Sequence, residues 1–409
     1  MQRIGVDVLG IERMATAVRR SGDRFLRKSF TAAELAYCDG SAERLAGRWA
    51  AKEAVIKCFD GTGICFPRRR IEILPAATGA PRVRLLGGDA KGAAVQVSIT
   101  HQSQVAIATA RLEMPDRPRL LEAPEAVALP ARPQDGHKGT FGTVVVLAGS
   151  LGLTGAAYLS ATAAARTGAG LVRLLVADGI YPILAAKCTE VMATPVPEVA
   201  PGHIGHAAQD IVLRHLDGAS AAVIGPGLGR DRSTWRLVYE LVRRINVPSV
   251  LDADALNALA DNRRLLKKLG KGRILTPHPG EMGRLLNKSA AEVNKDRSKS
   301  AAQAAEEWGA VVVLKGAHTV VAAPGGRVSV DPHQVPALAS GGTGDVLSGV
   351  IGALLAQGCE PFTAAVGGVY VHAAAGRAVS ERLGDSGLLA SDLLPEIPLV
   401  MDQLRRGGL

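Results

Sequence analysis

Hydrophobic runs alternate with helical stretches over residues 138–409. The runs of strand length lie at residues 143–148, 171–176, 221–225, 249–253, 273–276 and 311–314. An alanine-rich stretch at residues 156–167 has the length of a helix and lies between the first two runs. Such alternation predicts an α/β domain with a doubly wound, mostly parallel sheet and helices on both faces. Residues 320–330, which contain Pro324-Gly325-Gly326, predict an antiparallel hairpin at one edge of that sheet.

The first 114 residues show a different order of elements. A short strand is predicted at residues 4–8 and a helix at residues 11–20, while Thr31 and Glu34 have the spacing of a capping box that starts another helix. A longer helix is predicted over residues 43–57. Short turns then join β-type runs at residues 70–74, 82–86, 94–100 and 104–110. Strands joined by direct turns favour an antiparallel sheet, so we predict a small α+β domain.

Prolines mark the segment between these two patterns, at positions 115, 118, 124, 130 and 133. Proline-rich segments of this kind form extended, semi-rigid connectors. We therefore divide the chain into a small domain at residues 1–114, a linker at residues 115–137 and a large domain at residues 138–409.

Composition narrows the class of protein. Of 409 residues, 47% are hydrophobic and only 3% are aromatic, so the core must be built from Ala, Val, Leu and Ile. The five cysteines are scattered and form no C-x-x-C motif, which argues against a disulfide framework or a cysteine-bound metal. No signal peptide or membrane-spanning run is recognisable, so we expect a cytoplasmic protein without membrane contact.

The positive charge is concentrated in the small domain. Residues 1–114 hold 18 Lys and Arg against 11 Asp and Glu, a surplus of seven, in a chain of net charge +10. A basic surface attracts acidic proteins or polyanions. Aromatic residues are too few for a platform on which bases stack, so we expect no nucleic-acid partner.

The glycine-rich stretch at residues 339–349 carries the clearest chemistry. Gly342, Thr343 and Gly344 precede Asp345, and apolar residues follow at helical spacing. Free N–H groups at a helix N-terminus favour a phosphate. A carboxylate beside a phosphate makes sense as the general base for a hydroxyl that attacks it. The alternative is that Asp345 only caps the helix.

Polar motifs also follow the predicted strands, at residues 225–229, 252–257, 276–281 and 315–319. The carboxyl ends of parallel strands meet at one edge of the sheet, where ligands bind. We therefore expect these loops and the glycine-rich stretch to form one site. Each motif alone also has a structural explanation: turn glycines at position 225, capping by Asp252 or Asp254, and a hydrogen-bonded structural role for His278.

From about residue 129 onward, the chain resembles the ADP/ATP-dependent NAD(P)H-hydrate dehydratase family, a branch of the ribokinase-like fold. Beside the loops above, the resemblance rests on His137-Lys138-Gly139, Ala148-Gly149-Ser150, Gly155-Ala156-Ala157 and residues 167–172. It implies repair of hydrated NADH or NADPH (NADHX or NADPHX). ADP or ATP phosphorylates the added hydroxyl, and phosphate then leaves, which restores the cofactor.

The same resemblance implies roles for individual residues. Asp345 is the base on the hydrate hydroxyl, and the anion hole for the transferred phosphoryl group is formed by Gly342, Thr343 and Gly344. The nucleotide is expected on Lys315, Gly316, Ala317, His318, Thr319 and Gly344, and the hydrate on Ala156, Gly227, Gly229, His278 and Asp345. Glu281 is a candidate for Mg²⁺, directly or through water. His318 departs from the family pattern, in which a smaller residue, often glycine, is expected.

Residues 1–114 resemble holo-acyl-carrier-protein synthase, the short phosphopantetheinyl transferase. The matching motifs occur in the family's order: Gly5-Val6-Asp7, Phe30-Thr31-x-x-Glu34, residues 45–54, Gly61-Thr62-Gly63, Ile71-Glu72-Ile73 with Gly79-x-Pro81, and Ser98-Ile99-Thr100-His101. The resemblance implies that coenzyme A donates 4'-phosphopantetheine to a serine of acyl carrier protein. The basic surplus fits an acidic protein of this kind.

This second resemblance also implies that Asp7 and Glu53 hold Mg²⁺ on the pyrophosphate of coenzyme A. Lys57 is expected to bind phosphate or to assist proton transfer at the attacking serine. Contacts to the phosphates of coenzyme A are expected from Arg44, Arg48, Lys52 and His101. The structural alternatives are that Glu53 pairs with Lys57 on a helix face and that Asp7 caps a turn.

The leading hypothesis is a bifunctional enzyme, a lyase and a transferase on one chain, that forms a homo-oligomer and serves metabolite repair and fatty acid biosynthesis. One alternative is that the large domain is a ribokinase-like vitamin or sugar kinase. Another is that the small domain is a non-catalytic docking or oligomerisation module. In the common bifunctional arrangement an epimerase domain precedes the dehydratase, whereas here the synthase-like segment stands in that place.

Overall fold

The structure, a computed structural model, describes residues 2–59, 66–86, 93–113, 127–270 and 272–407. The chain divides into two units, residues 1–119 and 120–409. Most of the predicted linker and the motif Gly61-Thr62-Gly63 lie outside the described residues.

The small unit is built on an antiparallel sheet. Its elements are β1 (Gln2–Gly10), α1 (Ile11–Ser29), α2 (Ala32–Cys38), α3 (Ala42–Phe59), β2 (Ile71–Pro75), β3 (Pro81–Leu85), β4 (Ala94–Gln102) and β5 (Val105–Glu113). Within the described residues, the strand order is β1-β5-β4-β3-β2, and every neighbouring pair is antiparallel. The predicted α+β fold is therefore confirmed.

Helix α3 packs against β1 and fixes which residues of that strand face inward. A Cβ on Gly5 would come within 2.1 Å of the Ala54 carbonyl oxygen, so only glycine allows this close approach. Side chains alternate along a strand, and Val6 and Val8 are exposed on the opposite face. Asp7 consequently points toward α3 from the middle of β1, and the alternative that it caps a turn is wrong.

The capping box predicted at the start of α2 is present. Thr31 Oγ1 accepts a hydrogen bond from Glu34 N at 3.2 Å, and Glu34 Oε2 accepts one from Thr31 N at 2.8 Å. Helix α1 runs beyond its predicted end, although Gly22 at φ 49° interrupts its helical geometry.

The large unit begins with β6 (Thr143–Leu147), α4 (Thr154–Arg166), β7 (Leu171–Ala177), α5 (Tyr181–Lys187), β8 (Met192–Val196), β9 (Glu198–Ala200) and β10 (His203–Ile204). It continues with α6 (Gln209–Asp217), β11 (Ala221–Ile224), α7 (Arg232–Arg244), β12 (Ser249–Leu251), α8 (Asp254–Asp261) and β13 (Arg273–Leu275). It ends with α9 (Pro279–Leu286), α10 (Ala290–Lys295), α11 (Arg297–Trp308), β14 (Val311–Leu314), β15 (Val320–Ala322), β16 (Val328–Val330), α12 (Thr343–Ala356), α13 (Pro361–Leu383) and α14 (Leu393–Gly407).

The described strands of the large unit form a nine-stranded sheet of order β16-β15-β14-β13-β12-β11-β6-β7-β8. The strands from β14 through β8 in this order pair in parallel, and β15 and β16 form the predicted antiparallel hairpin at the edge. Its central strands are fully buried, which suits their continuous apolar runs. The mostly parallel sheet is confirmed. The sequence did not predict β8, whose Pro195 is tolerated because the strand lies at the other edge.

The described end of the predicted linker, residues 127–137, packs on the large unit. Val127 and Leu129 lie against its hydrophobic core, and Arg132 donates to the Gly168 carbonyl at 3.0 Å. Its guanidinium also lies 4.0 Å from the centre of the Phe141 ring. This part of the chain is therefore anchored rather than a free connector. None of the helices in the described part of the chain has the length and apolarity needed to cross a membrane.

Candidate functional site

Loops from four neighbouring strands meet at one edge of the large sheet. Gly225 follows β11, Asp252 follows β12, Thr276 follows β13 and Lys315 follows β14. These strands lie side by side and in parallel, so their carboxyl ends bring the loops together. Gly225 has φ 128°, and a Cβ there would come within 1.8 Å of the Asp252 carbonyl oxygen. The glycine thus lets the first two loops touch.

Asp252 and Lys315 form a buried ion pair at this edge. Lys315 Nζ lies 2.8 Å from Oδ1 of Asp252, whose side chain is 1% exposed. Ser348 Oγ donates to Oδ2 of Asp252 at 2.6 Å. Burial alone would raise the pKa of Asp252, but the Lys315 ammonium holds it below its ordinary value. Burial would likewise lower the pKa of Lys315, but Asp252 and Glu281 keep it raised. Both groups are therefore charged at neutral pH.

The ammonium of Lys315 lies beside the start of α12. Its Nζ is 3.4 Å from the position that a Cβ on Gly344 would occupy. Gly342, with φ 90°, is the N-cap of the helix, so the N–H groups of the first turn, of which Thr343 N lies 3.5 Å from the Ser340 carbonyl oxygen, lie next to a fixed cation. The structure thereby brings together the predicted nucleotide-binding lysine and the predicted anion hole.

Asp345 lies in the first turn of α12. Burial raises its pKa to about 7, and the neighbouring Asp252 carboxylate adds to this rise while Lys315 opposes it. The N-cap residue is Gly342, and no side-chain hydrogen bond caps the helix there. The alternative that Asp345 caps α12 is therefore wrong. A carboxyl group with a pKa near neutrality has the acidity that a general base needs.

His372 of α13 holds the glycine-rich loop at residues 339–345 through a backbone carbonyl group. Its Nε2 lies 2.9 Å from the Thr343 carbonyl oxygen, and burial lowers its pKa to about 4. The imidazole is therefore neutral, and the short contact makes Nε2 the donor to that oxygen. The single hydroxyl proton of Thr343 is shared between the Leu338 and Ser340 carbonyl oxygens, each 2.9 Å from Oγ1. Sequence reasoning missed His372 because a single histidine in a helix carries no motif.

His278 and Glu281 form a reciprocal cap at the start of α9. His278 Nδ1 accepts from Gly280 N at 3.0 Å, and Glu281 Oε2 accepts from His278 N at 2.8 Å. Glu281 lies 3.8 Å from Lys315 Nζ, and burial raises the pKa of Glu281. These contacts give both residues a structural role at the predicted site, beside the cation that faces the anion hole.

Of the predicted hydrate-binding residues, Ala156 and Gly227 come into close contact, and Gly229 is held nearby in the same loop. A Cβ on Gly227, which has φ 62°, would come within 2.9 Å of the Ala156 Cβ. Gly229 N donates to Asp254 Oδ2 at 2.8 Å, and Ser150 Oγ donates to the Gly227 carbonyl at 2.8 Å. Close backbone packing therefore explains both glycines, and Asp254 orients the second.

The predicted nucleotide loop, residues 315–319, is held by Arg297 at the start of α11. One guanidinium nitrogen of Arg297 donates to the Leu314 carbonyl at 2.8 Å, and the other donates to the Ala317 carbonyl. His318 adopts φ 53°, a left-handed conformation that favours glycine, which is the residue expected there. Sequence reasoning missed Arg297 because it lies 20 residues before the carbonyl that it binds.

In the small unit, the two predicted metal ligands each face a side-chain cation. Lys57 Nζ donates to Asp7 Oδ1 at 2.9 Å and to the Val6 carbonyl at 2.8 Å. Glu53 accepts a hydrogen bond from Arg68 Nε. The Asp7 and Glu53 side chains are 18% and 20% exposed. The alternative that Glu53 pairs with Lys57 is therefore wrong, since each pairs elsewhere.

The contacts of Lys52 contradict the prediction that it binds coenzyme A. Its side chain is 0% exposed, and its Nζ lies 2.7 Å from Glu34 Oε2. The same ammonium donates to the Ser29 and Arg68 carbonyls, at 2.9 Å each. An ammonium has three protons, and these three acceptors use all of them. Lys52 therefore holds the interior of the small unit together.

The other predicted coenzyme A contacts lie near one end of α3. The guanidinium groups of Arg44 and Arg48 lie 5.4 and 4.7 Å from the centre of the Tyr37 ring. His101 Nδ1 lies 2.6 Å from Glu43 Oε1. Arg48 is largely buried, and its Nε has no hydrogen-bond partner among the described residues. Their role toward coenzyme A remains a prediction.

Family models match both units. The model described as NAD(P)H-hydrate dehydratase matches residues 144–399, and the model described as the 4'-phosphopantetheinyl transferase superfamily matches residues 3–110. An ADP-dependent (S)-NAD(P)H-hydrate dehydratase of Xanthomonas campestris is 38% identical over 287 residues, 69% of this chain and 96% of that protein. A bifunctional NAD(P)H-hydrate repair enzyme of Moorella thermoacetica is 48% identical over 276 residues, 68% of this chain and 52% of that protein. This chain thus spans about half the length of such bifunctional relatives.

Solved structures of other proteins are similar to the large unit. An ADP/ATP-dependent NAD(P)H-hydrate dehydratase from Bacillus subtilis, co-crystallized with ATP/Mg²⁺, has a TM-score of 0.57 and 30% identity, and the match covers 68% of this chain and 95% of that one. A ribokinase-like superfamily protein from Enterococcus faecalis has a TM-score of 0.59 at 24% identity, covering 67% and 92%, and shares the fold. The chain therefore belongs to the NAD(P)H-hydrate dehydratase family through its large, ribokinase-like unit, while its small unit matches the 4'-phosphopantetheinyl transferase superfamily.

Proposed function

We propose that the large unit dehydrates NADHX and NADPHX at the expense of ADP or ATP. The observation that carries this proposal is the juxtaposition of three groups. The Lys315 ammonium lies beside the first turn of α12, and that turn contains Asp345, whose pKa is raised to about 7. A fixed cation, a helix N-terminus and a base suit transfer of a phosphoryl group to a hydroxyl. The names of the relatives support the choice of substrate.

The reaction follows from these positions. Asp345 takes the proton of the added hydroxyl, whose oxygen attacks the terminal phosphorus of the nucleotide. The bond between that phosphorus and the bridging oxygen breaks, and the bridging oxygen leaves on the shortened nucleotide. Phosphate then leaves the nicotinamide ring with the C–O bonding electrons, and loss of a proton from the adjacent carbon restores the ring double bond.

Each group of the site has a part in this reaction. Lys315 and the N–H groups of residues 342–344 bind the negative charge of the transferred phosphoryl group. Asp252 keeps Lys315 charged and in place, through the 2.8 Å contact. Magnesium would offset the charge of the nucleotide phosphates. Glu281, whose Oε2 receives the His278 N–H, would act on it directly or through water.

The product of the reaction tests this proposal against a vitamin or sugar kinase of the same fold. The full chain is incubated with NADHX and either ADP or ATP, and the return of the nicotinamide absorbance is followed together with inorganic phosphate. The dehydratase releases one phosphate for each cofactor restored. A stable phosphoester without restored absorbance would instead identify a kinase.

We propose that the small unit transfers 4'-phosphopantetheine from coenzyme A to a serine of acyl carrier protein. Asp7 and Glu53 fit a magnesium ion because both offer hard oxygen donors that remain partly exposed. No group of three or more His, Cys, Asp or Glu side chains that could hold a metal occurs among the described residues. Water and pyrophosphate oxygens would therefore complete the shell, as magnesium prefers. Bound there, magnesium would stabilise the charge of the departing nucleotide.

The transfer also requires removal of the serine proton and binding of the negatively charged pyrophosphate. The serine oxygen attacks the phosphorus that bears the pantetheine group, and the pyrophosphate bond breaks to release adenosine 3',5'-bisphosphate. Lys57, which contacts Asp7 at 2.9 Å, is placed to bind the pyrophosphate or to assist removal of the serine proton. A non-catalytic docking module would have no use for this arrangement.

Mass spectrometry of acyl carrier protein tests the second activity. The full chain, coenzyme A, Mg²⁺ and purified apo acyl carrier protein are mixed, and the protein should gain the mass of one phosphopantetheine group. A carrier protein that binds the chain but keeps its mass would identify a docking module.

A further inference from the structure

Arg68 pairs with Glu53, one of the two carboxylates proposed to bind the metal. Its Nε donates to Oε1 of Glu53, and its guanidinium lies 4.5 Å from the centre of the Trp49 ring. Trp49 in turn stacks on Phe25, with ring centres 5.4 Å apart. The guanidinium therefore meets a carboxylate and the face of an aromatic ring, two partners that suit its planar, cationic group.

The backbone of Arg68 is fixed from the interior. The Arg68 carbonyl oxygen accepts a hydrogen bond from Lys52 Nζ at 2.9 Å. That ammonium is itself buried against Glu34 and the Ser29 carbonyl. An exposed ion pair contributes little by itself, but here a buried anchor and a ring keep the guanidinium at one place. The Arg68 side chain is thus held in one position at this site.

The two proposed metal ligands are neutralised in the same way. Lys57 faces Asp7 and Arg68 faces Glu53, so each carboxylate has a cation supplied by the chain. A divalent cation bound to Glu53 would compete with Arg68 for the carboxylate oxygens and repel the guanidinium. The displaced guanidinium would remain next to a site that receives a pyrophosphate, and Arg binds phosphate oxygens with two parallel hydrogen bonds.

We propose that Arg68 is a substrate-binding residue that exchanges partners: it neutralises Glu53 before the metal binds and contacts a phosphate of coenzyme A afterwards. This inference rests on the proposed phosphopantetheinyl transfer. It predicts effects of opposite sign when the guanidinium is removed. Affinity for the metal alone should rise, because a competing cation is gone, while affinity for coenzyme A should fall, because a phosphate loses its partner.

The test uses the full chain, with Mn²⁺ as the probe of the metal site. Free Mn²⁺ is measured by electron paramagnetic resonance during titration of wild type and Arg68→Met, and Glu53→Gln identifies the portion of binding that belongs to this site. We expect Arg68→Met to bind Mn²⁺ about threefold more tightly, as expected for loss of a partly exposed ion pair. The KM for coenzyme A in the transfer assay should rise about tenfold, in line with loss of a charged hydrogen bond.

Arg69→Met is the matched control, since it removes the same charge from the next, exposed position. It should change both quantities by less than about twofold, as surface substitutions usually do. Arg68→Lys keeps the charge and should recover part of the coenzyme A affinity. Arg68→Gln also removes the charge and replaces the Met variant if that variant does not fold. Dehydratase activity should be unchanged in all of them.

The outcomes separate this inference from the function on which it rests. A wild-type chain that transfers no phosphopantetheine removes the proposed activity and the substrate role of Arg68 with it. If the wild type transfers normally and Arg68→Met leaves Mn²⁺ affinity unchanged or weaker, the exchange is refuted. An unchanged KM for coenzyme A likewise refutes the phosphate contact.

Discussion

Asp345→Asn tests the mechanism of the large unit because the amide keeps the shape of the side chain and removes its basicity. Asn cannot accept a proton from the hydrate hydroxyl at neutral pH. We expect turnover to fall by at least about a hundredfold, the low end for loss of a general base. Nucleotide affinity should stay the same or rise slightly, because a negative charge beside the phosphates is gone.

The structure also predicts what the substitution does to stability. The pKa of Asp345 is raised from an ordinary 3.8 to about 7, and each pKa unit corresponds to about 1.4 kcal/mol. Ionising this buried carboxyl in the folded protein therefore costs up to about 4 kcal/mol. The cost is absent below pH 3.8, where the group is protonated in both states, and is complete above pH 7. Asp345→Asn should thus be more stable than wild type at pH 8, and the difference should vanish toward pH 4.

Two measurements check these effects. The first is the return of nicotinamide absorbance from NADHX, with kcat/KM recorded against pH for the wild type. It should increase as the pH rises through about 7, because Asp345 must be deprotonated to act. The second is the free energy of unfolding in denaturant at pH 5 and pH 8 for both proteins.

The refuting result is specific. An Asn variant that keeps near-normal turnover would show that Asp345 is not the base, and the proposed mechanism would fail. An Asn variant with normal binding and lost turnover that is less stable than wild type at pH 8 would contradict the description of Asp345 as a destabilised buried acid. Asp345→Ala is the control for shape and should match Asn in turnover.

Three further substitutions and one change of condition probe the rest of the chain. Arg297→Lys should raise the nucleotide KM about tenfold with kcat nearly unchanged, because a lysine cannot donate to both carbonyls of the loop as a guanidinium does; an equal fall in kcat would contradict this positioning role. Asp7→Asn and Glu53→Gln should each abolish transfer to acyl carrier protein, measured by mass spectrometry, while dehydratase activity persists; full transfer by either variant would remove it from the metal site. The KM for acyl carrier protein should rise with salt as the Debye length falls to about 10 Å, and a KM that is flat with salt would contradict steering by the surplus of seven charges.

Apart from β8, the strands of the large sheet were predictable, but the carboxyl ends of three of them were not. The predicted runs at residues 221–225, 249–253 and 273–276 extend beyond the observed strands, which end at Ile224, Leu251 and Leu275. The chain turns away at these points to build the site, as at Ala253, which adopts φ 48°. A hydrophobic pattern shows where a strand is buried, whereas its end depends on backbone geometry set by neighbouring loops.

Ion pairs between residues far apart in the sequence were the part of the sites that sequence reasoning could not predict. The sequence predicts that Lys315 binds a ligand and that the loop of Asp252 belongs to the same site, but it does not predict their pairing across 63 residues. The matching motif predicts a coenzyme A contact for Lys52, yet this side chain faces the interior and pairs with Glu34. A motif identifies which residues a family retains, but it does not distinguish a ligand contact from a buried ion pair.

The two proposed activities should be separable by substitution. The hydrophobic clusters of the small unit lie within residues 14–112, and the core of the large unit lies within residues 144–401. Likewise, the Asp7–Lys57 and Glu53–Arg68 pairs lie within the first unit. The Asp252, Lys315 and Ser348 network lies within the second. Because the two sites use different side chains, loss of one activity gives no direct chemical reason to lose the other. A variant that abolishes both would therefore indicate a fold-wide defect or a coupling between the units, and its melting temperature would distinguish these causes.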